Sequence, residues 1–162
     1  VTKNAVNQFV FRKRIPQENF PQNEFDTLFS IVRSQNSDNN DYYLSQLKMI
    51  EEVQNGNYNA MLNEMEKSLQ LDILQNNDKR FFFIWLNLTY LFECTDVEAL
   101  NRGVNWADQI KPNGNHDSAL ASWMRMKSRL LTAKGDDEEK LTCEAEKLHT
   151  PMTINEVFNQ KK

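Results

Sequence analysis

The sequence predicts an all-α fold, and three observations predict it. Glycine and proline are scarce, at four each in 162 residues, too few turn-formers for a sheet of many short strands. Apolar residues recur at the three- and four-residue spacing of one helix face through most of the chain. Polar stretches with helix start and stop signals separate these periodic segments.

Residues 1–21 are expected to form an extended arm. They carry the alternating run Phe9-Val10-Phe11-Arg12-Lys13-Arg14-Ile15, then Pro16 and Pro21, and a proline pushes its predecessor out of the α region. The Phe residues of the arm are expected to lie on the body of the domain. From Gln22 to Arg33, Phe25, Leu28, Phe29 and Val32 fall at helical spacing, and a polar connector from Ser34 to Asn40 follows. Tyr43, Leu44, Leu47, Ile50 and Val53 mark a second helix, ended by Asn55-Gly56-Asn57, where Gly56 suits the left-handed position after a helix. Asn57 is then placed to cap a third, with Tyr58, Met61, Leu62, Met65 and Leu69 as its buried face.

The stretch from Arg80 to Phe92 is apolar almost all the way round, which predicts a central helix buried on most sides. It is too short to cross a bilayer, which takes about 18 apolar residues. Thr95 and Glu98 form a capping box before a helix presenting Val97, Leu100, Val104, Ala107 and Ile110, which stops at Lys111-Pro112. Leu120, Trp123, Met124, Met126, Leu130 and Leu131 mark the next, ending at Lys134-Gly135. Two further boxes, Asp136 with Glu139 and Thr153 with Glu156, open two more helices. About seven helices joined by short links make residues 22–162 a single helical domain.

Composition narrows the function. The net charge of −4 is mild, and the one basic cluster, Arg12-Lys13-Arg14, is small. No direct nucleic-acid surface is therefore expected. Cys94 and Cys143 lie far apart without CxxC spacing, so neither a disulfide framework nor a zinc site is expected. No signal peptide or membrane span is read, and the expected compartment is the cytoplasm. The first residue is Val1 rather than Met, which fits a portion excised from a longer chain.

Laid against itself, the chain repeats. Gly56, Cys94 and Gly135 take the same turn position at spacings of 38 and 41 residues, and Leu62, Leu100 and Leu141 each come six residues later. Such a period marks stacked helix pairs. The unit from Arg80 to Asn113 is similar to a tetratricopeptide repeat, a helix–turn–helix module of about 34 residues. Leu86, Tyr90, Ala99, Ala107 and Pro112 stand where that family has its Leu, Tyr, two Ala and closing Pro. Asn87 for a small residue, Gly103 for an aromatic and Cys94 for the turn Gly depart from the pattern. The unit from Tyr42 keeps Gly56 and Tyr58, and the third keeps Trp123 and Pro151. The resemblance implies a tetratricopeptide-like α–α superhelix. In that family the first helix of each pair lines the concave face, which here assigns a partner groove to Tyr43, Ile50, Val53, Phe81, Ile84, Leu88, Leu91 and Phe92.

No catalytic or metal site is expected. His116-Asp117 and His149 occur in polar loop or helix-end contexts with no nucleophile at a readable spacing. Asp136-Asp137-Glu138-Glu139 is explained by the preference of helix N-termini for acidic side chains. The cysteines are read as small hydrophobes, and the Asn87-Leu88-Thr89 sequon lies in the most apolar helix. The expected function is a non-catalytic module, without cofactor, that binds a peptide or helix of another protein through an apolar concave groove. The alternative is a sensor or oligomerisation domain of a larger regulator, with self-association as its partner mode.

Overall fold

A computed structural model describes residues 5, 6, 9, 20–35, 39–112 and 117–135. Their regular structure is entirely helical. Six α-helices are present among them: α1 Gln22–Ser34, α2 Asn40–Gln54, α3 Tyr58–Ser68, α4 Asn77–Thr89, α5 Val97–Gln109 and α6 Asp117–Lys134. Short 3-10 turns, Asp72–Gln75 and Tyr90–Glu93, flank α4. About seven were expected over the whole chain, and the helices read from Asp136/Glu139 and Thr153/Glu156 lie outside the described residues.

The arm departs from expectation where it is described, because Ala5, Val6 and Phe9 are helical. The restriction imposed by Pro16 and Pro21 falls on Ile15 and Phe20, not on residues this far upstream. Phe9 is fully buried, its ring 5.7 Å from Phe20 and 5.9 Å from Phe25. Phe25 in turn stacks on Phe29 at 5.9 Å, so one aromatic cluster fixes the start of α1.

The link between α2 and α3 follows the sequence reading closely. Gly56 has φ of 75°, with its N–H donating to Val53 O at 3.0 Å while Asn57 N–H donates to Glu52 O at 2.8 Å. This paired pattern satisfies two terminal carbonyls and turns the chain back after one residue. Asn57 does not cap α3 with its side chain; its Nδ2 donates instead to Glu52 Oε2 at 3.1 Å.

The start of α5 is shifted by one residue from the predicted box. Asp96, not Thr95, is the cap, its Oδ1 accepting from Glu98 N–H at 2.9 Å and Ala99 N–H at 3.3 Å. Both residue types cap well, and the carboxylate adds favourable charge at a helix N-terminus. The shift accompanies a rotated face. Val97 is 58 % exposed, whereas Ala99, Leu100, Gly103 and Ala107 are buried.

Ala99, Gly103 and Ala107 recur at four-residue spacing on the buried face of α5, and Gly103 lies against the turn that follows α4. A methyl group on Gly103 would overlap Leu91 Cδ1 and sit 3.7 Å from Leu88 Cδ2. On the other side, Arg102 stitches α5 to α3. Its guanidinium donates to Asn59 O and Oδ1 at 3.2 and 3.1 Å, to Asn63 Oδ1 at 2.8 Å and to Glu66 Oε1 at 3.1 Å. Trp106 Nε1 donates to the same Glu66 oxygen at 2.9 Å. Trp123 of α6 then anchors on Ala107 O at 2.7 Å.

Two outcomes are expected in chemical denaturation. Asp96→Ala should lose about 1 kcal/mol and Thr95→Ala less than about 0.5 kcal/mol, since only Asp96 holds the helix amides. Equal losses would put the cap back at Thr95. Gly103→Ala should be destabilising by about 1 kcal/mol, the overlap with Leu91 exceeding the gain in helix propensity. In a Leu91→Ala background the same change should instead stabilise by about 1 kcal/mol, because the overlap is gone while the propensity gain remains. A stabilising Gly103→Ala in the wild type would show that the contact is loose.

Candidate functional site

The structure places most of the predicted groove inside the molecule. Tyr43 is 7 % exposed, Ile84 1 %, and Ile50, Val53, Leu88 and Leu91 are fully buried, in one apolar cluster with Leu47, Met61, Met65 and Leu100. Phe81 and Phe92 are half-buried. Periodicity located the apolar face correctly, but neighbouring helices cover it. Phe92 carries the Arg129 guanidinium 4.1 Å from its ring centroid, a cation held against an aromatic face.

Around this core the polar groups serve the fold. Asn87 of the sequon is 3 % exposed and donates to Phe83 O at 2.9 Å. Burial pushes the Cys94 thiol up; its sulfur accepts from Asp96 N–H at 3.3 Å, so it is not the activated thiolate that a nucleophile needs. His116, His149 and Cys143 lie outside the described residues. No group of three or more His, Cys, Asp or Glu among the described residues could hold a metal ion, and no described helix is long and apolar enough to cross a membrane.

Described residues line two open clefts. One, of about 450 Å³, lies where the start of α4 meets the end of α5, lined by Phe81 and Ile84 with Asp78, Arg80 and Lys111. Its charges are mixed. The other, of about 540 Å³, is built by three helices. Phe25, Asp26, Phe29 and Ser30 come from one face of α1; Lys48, Glu51 and Glu52 from one face of α2; and Ala60 with Glu64 from α3. Each set is spaced one turn apart, which brings its side chains onto a shared wall.

In the second cleft four carboxylates face one ammonium, over an aromatic and alanine floor. Neutral donors hold three of the carboxylates. Gln22 Nε2 donates to Asp26 Oδ1 at 2.9 Å, Asn57 Nδ2 to Glu52 Oε2 at 3.1 Å, and Ser45 Oγ to Glu64 Oε1 at 2.9 Å. Neutral donors orient a carboxylate without cancelling its charge, so the cleft keeps a negative field focused by its apolar floor. Sequence reading missed these residues apart from Phe25 and Phe29, which it placed at helical spacing in the first helix. The signal was present as acidic side chains at one-turn spacing next to the buried stripes.

Compared with known protein families, curated proteins and solved structures, the chain has no match.

Two measurements check this placement. Leu88→Glu puts an unpaired carboxylate in the core, at a cost of several kcal/mol against a total of about 5–15 kcal/mol. It should remove the cooperative unfolding transition, while Phe29→Glu, at the cleft, should keep it; a folded Leu88→Glu would return that residue to an open face. The second concerns pH. Burial, with the neighbouring Tyr43, pushes the Tyr42 hydroxyl up to about 12, and burial raises Tyr43 and Tyr58 as well. A raised folded value means the native state holds its proton longer than the unfolded chain. The stability this represents is complete below about pH 10 and is lost as pH rises through the folded value. The denaturation midpoint should therefore fall between about pH 10 and 12, and fall less steeply in Tyr42→Phe. An identical slope in the variant would show that Tyr42 titrates normally.

Proposed function

We propose that this chain is a non-catalytic protein-interaction module that binds a peptide segment of another protein in the cleft built by α1, α2 and α3. The observation that carries the proposal is the contrast between two surfaces. The apolar face implied by the repeat resemblance is closed by neighbouring helices, whereas this cleft is open and its polar groups are already oriented. A volume of about 540 Å³ falls in the range of about 300–1,000 Å³ that ligand sites occupy.

We also infer a tetratricopeptide-like stacking of helix pairs. In support, α3 packs on α5 and α4 on α6 as well as each helix on its sequence neighbour, the pattern expected when each pair leans on the next. Buried Ala99 and Ala107 stand at the two small positions of that repeat.

Selection of displayed peptides on the immobilised full chain tests the binding proposal, with Phe29→Glu as the counter-screen. Peptides enriched on the wild type should bind it at least tenfold more tightly than the variant, a difference of about 1.4 kcal/mol. Failure to enrich any peptide, or enriched peptides that bind both proteins equally, would contradict it.

A further inference from the structure

The chemistry of the cleft defines the partner more narrowly, and the step rests on the reading of this chain as a peptide-binding module. We propose that the cleft takes an arginine side chain of the partner segment, with the guanidinium over Phe29 and its N–H groups on Glu51, Glu52 and Glu64. Four lining carboxylates oppose the single ammonium of Lys48, so charge complementarity calls for a cation. The partly exposed Phe29 ring calls for one that tolerates an apolar face. Guanidinium meets both demands, being planar, weakly hydrated and able to stack on a ring while donating sideways to carboxylates. An ammonium ion is more strongly hydrated and would lose more on entering.

The molecule uses each half of this chemistry elsewhere. Arg129 lies over the Phe92 ring at 4.1 Å, and Arg102 is bracketed by Glu66, Asn63 and Asn59 at 2.8–3.2 Å. The cleft presents the same two receptors, the Phe29 ring and the half-buried carboxylates of Glu51, Glu52 and Glu64, and no arginine is among its described lining residues. A phosphate or carboxylate ligand would meet repulsion there, which excludes nucleic acid from this site.

The test is fluorescence anisotropy of the full chain at physiological salt with two short labelled peptides, one alternating arginine with leucine and one alternating lysine with leucine. The arginine peptide should bind more tightly than the lysine peptide. Glu51→Gln with Glu64→Gln should weaken it at least tenfold, and Gln at 64 still accepts the Ser45 hydrogen bond, so the fold is kept. Glu93→Gln with Glu98→Gln removes the same charge at exposed positions outside the cleft and should change binding less than about twofold. Equal losses in the two double variants, or equal affinity for the lysine peptide, would overturn the proposal. So would peptide binding gained only after Arg12→Gln, Lys13→Gln and Arg14→Gln together, which would seat the chain's own basic run in the cleft. Self-association in sedimentation that is lost in Glu51→Gln with Glu64→Gln would place a second copy there instead. If displayed peptides enriched through Phe29 carry no arginine, the binding module stands and the arginine assignment fails.

Discussion

The close approach of α5 to the 3-10 turn that follows α4, with Gly103 against Leu91, is the constraint on which the rest of the helix arrangement depends. Helix axes pack 8–10 Å apart according to the side chains between them, and the glycine at 103 leaves room there for the Leu91 side chain. With α5 drawn in, Leu88 and Leu91 are sealed from water. The outer edge of α5 then meets α3 through Arg102 and Trp106, and its last turn offers the Ala107 carbonyl to Trp123. One helix thus positions its neighbours on both sides, by contact of small residues on one face and by charged hydrogen bonds on the other.

The helical architecture was legible in the sequence because apolar periodicity and glycine placement are local properties. Gly56 and Gly135 both adopt positive φ, as their positions after helices required. Other features were not local. Thr95 and Asp96 are both competent caps, and only the backbone that follows decides between them. Val97 looked like a core residue because hydropathy favours large side chains, yet the buried stripe of α5 is made of small ones that hydropathy barely registers. The 3-10 turn at Asp72–Gln75 was also invisible. It is held by Gln75 and Arg80 side chains donating to the Leu69 carbonyl at 3.0 and 3.1 Å, contacts that no propensity encodes.

The same distinction explains the candidate site. A sequence shows that Ile84, Leu88 and Leu91 share an apolar face but not which other helices lie against it. The structure supplies that answer, and the face is core. The open cleft was illegible for the converse reason, since its charged residues come from three helices and each reads alone as a solvated helix surface. Their meeting over Phe25 and Phe29 follows from the sharp turn at Gly56 and from the aromatic cluster that docks α1, features of tertiary structure rather than of any one segment.

The face made by Phe83, Ile84, Leu88 and Leu91 is enclosed by the neighbouring helices. Hydroxyl-radical footprinting of the native chain, read residue by residue in a mass spectrometer, tests it directly. Phe82, 48 % exposed, and Val97, 58 % exposed, should be labelled readily, together with Phe29 at the cleft, while Phe83, Ile84, Leu88 and Leu91 stay protected until the chain unfolds. Labelling of Ile84, Leu88 and Leu91 in the native protein as heavy as that of Phe82 would mean that the apolar face is open, and would contradict the account.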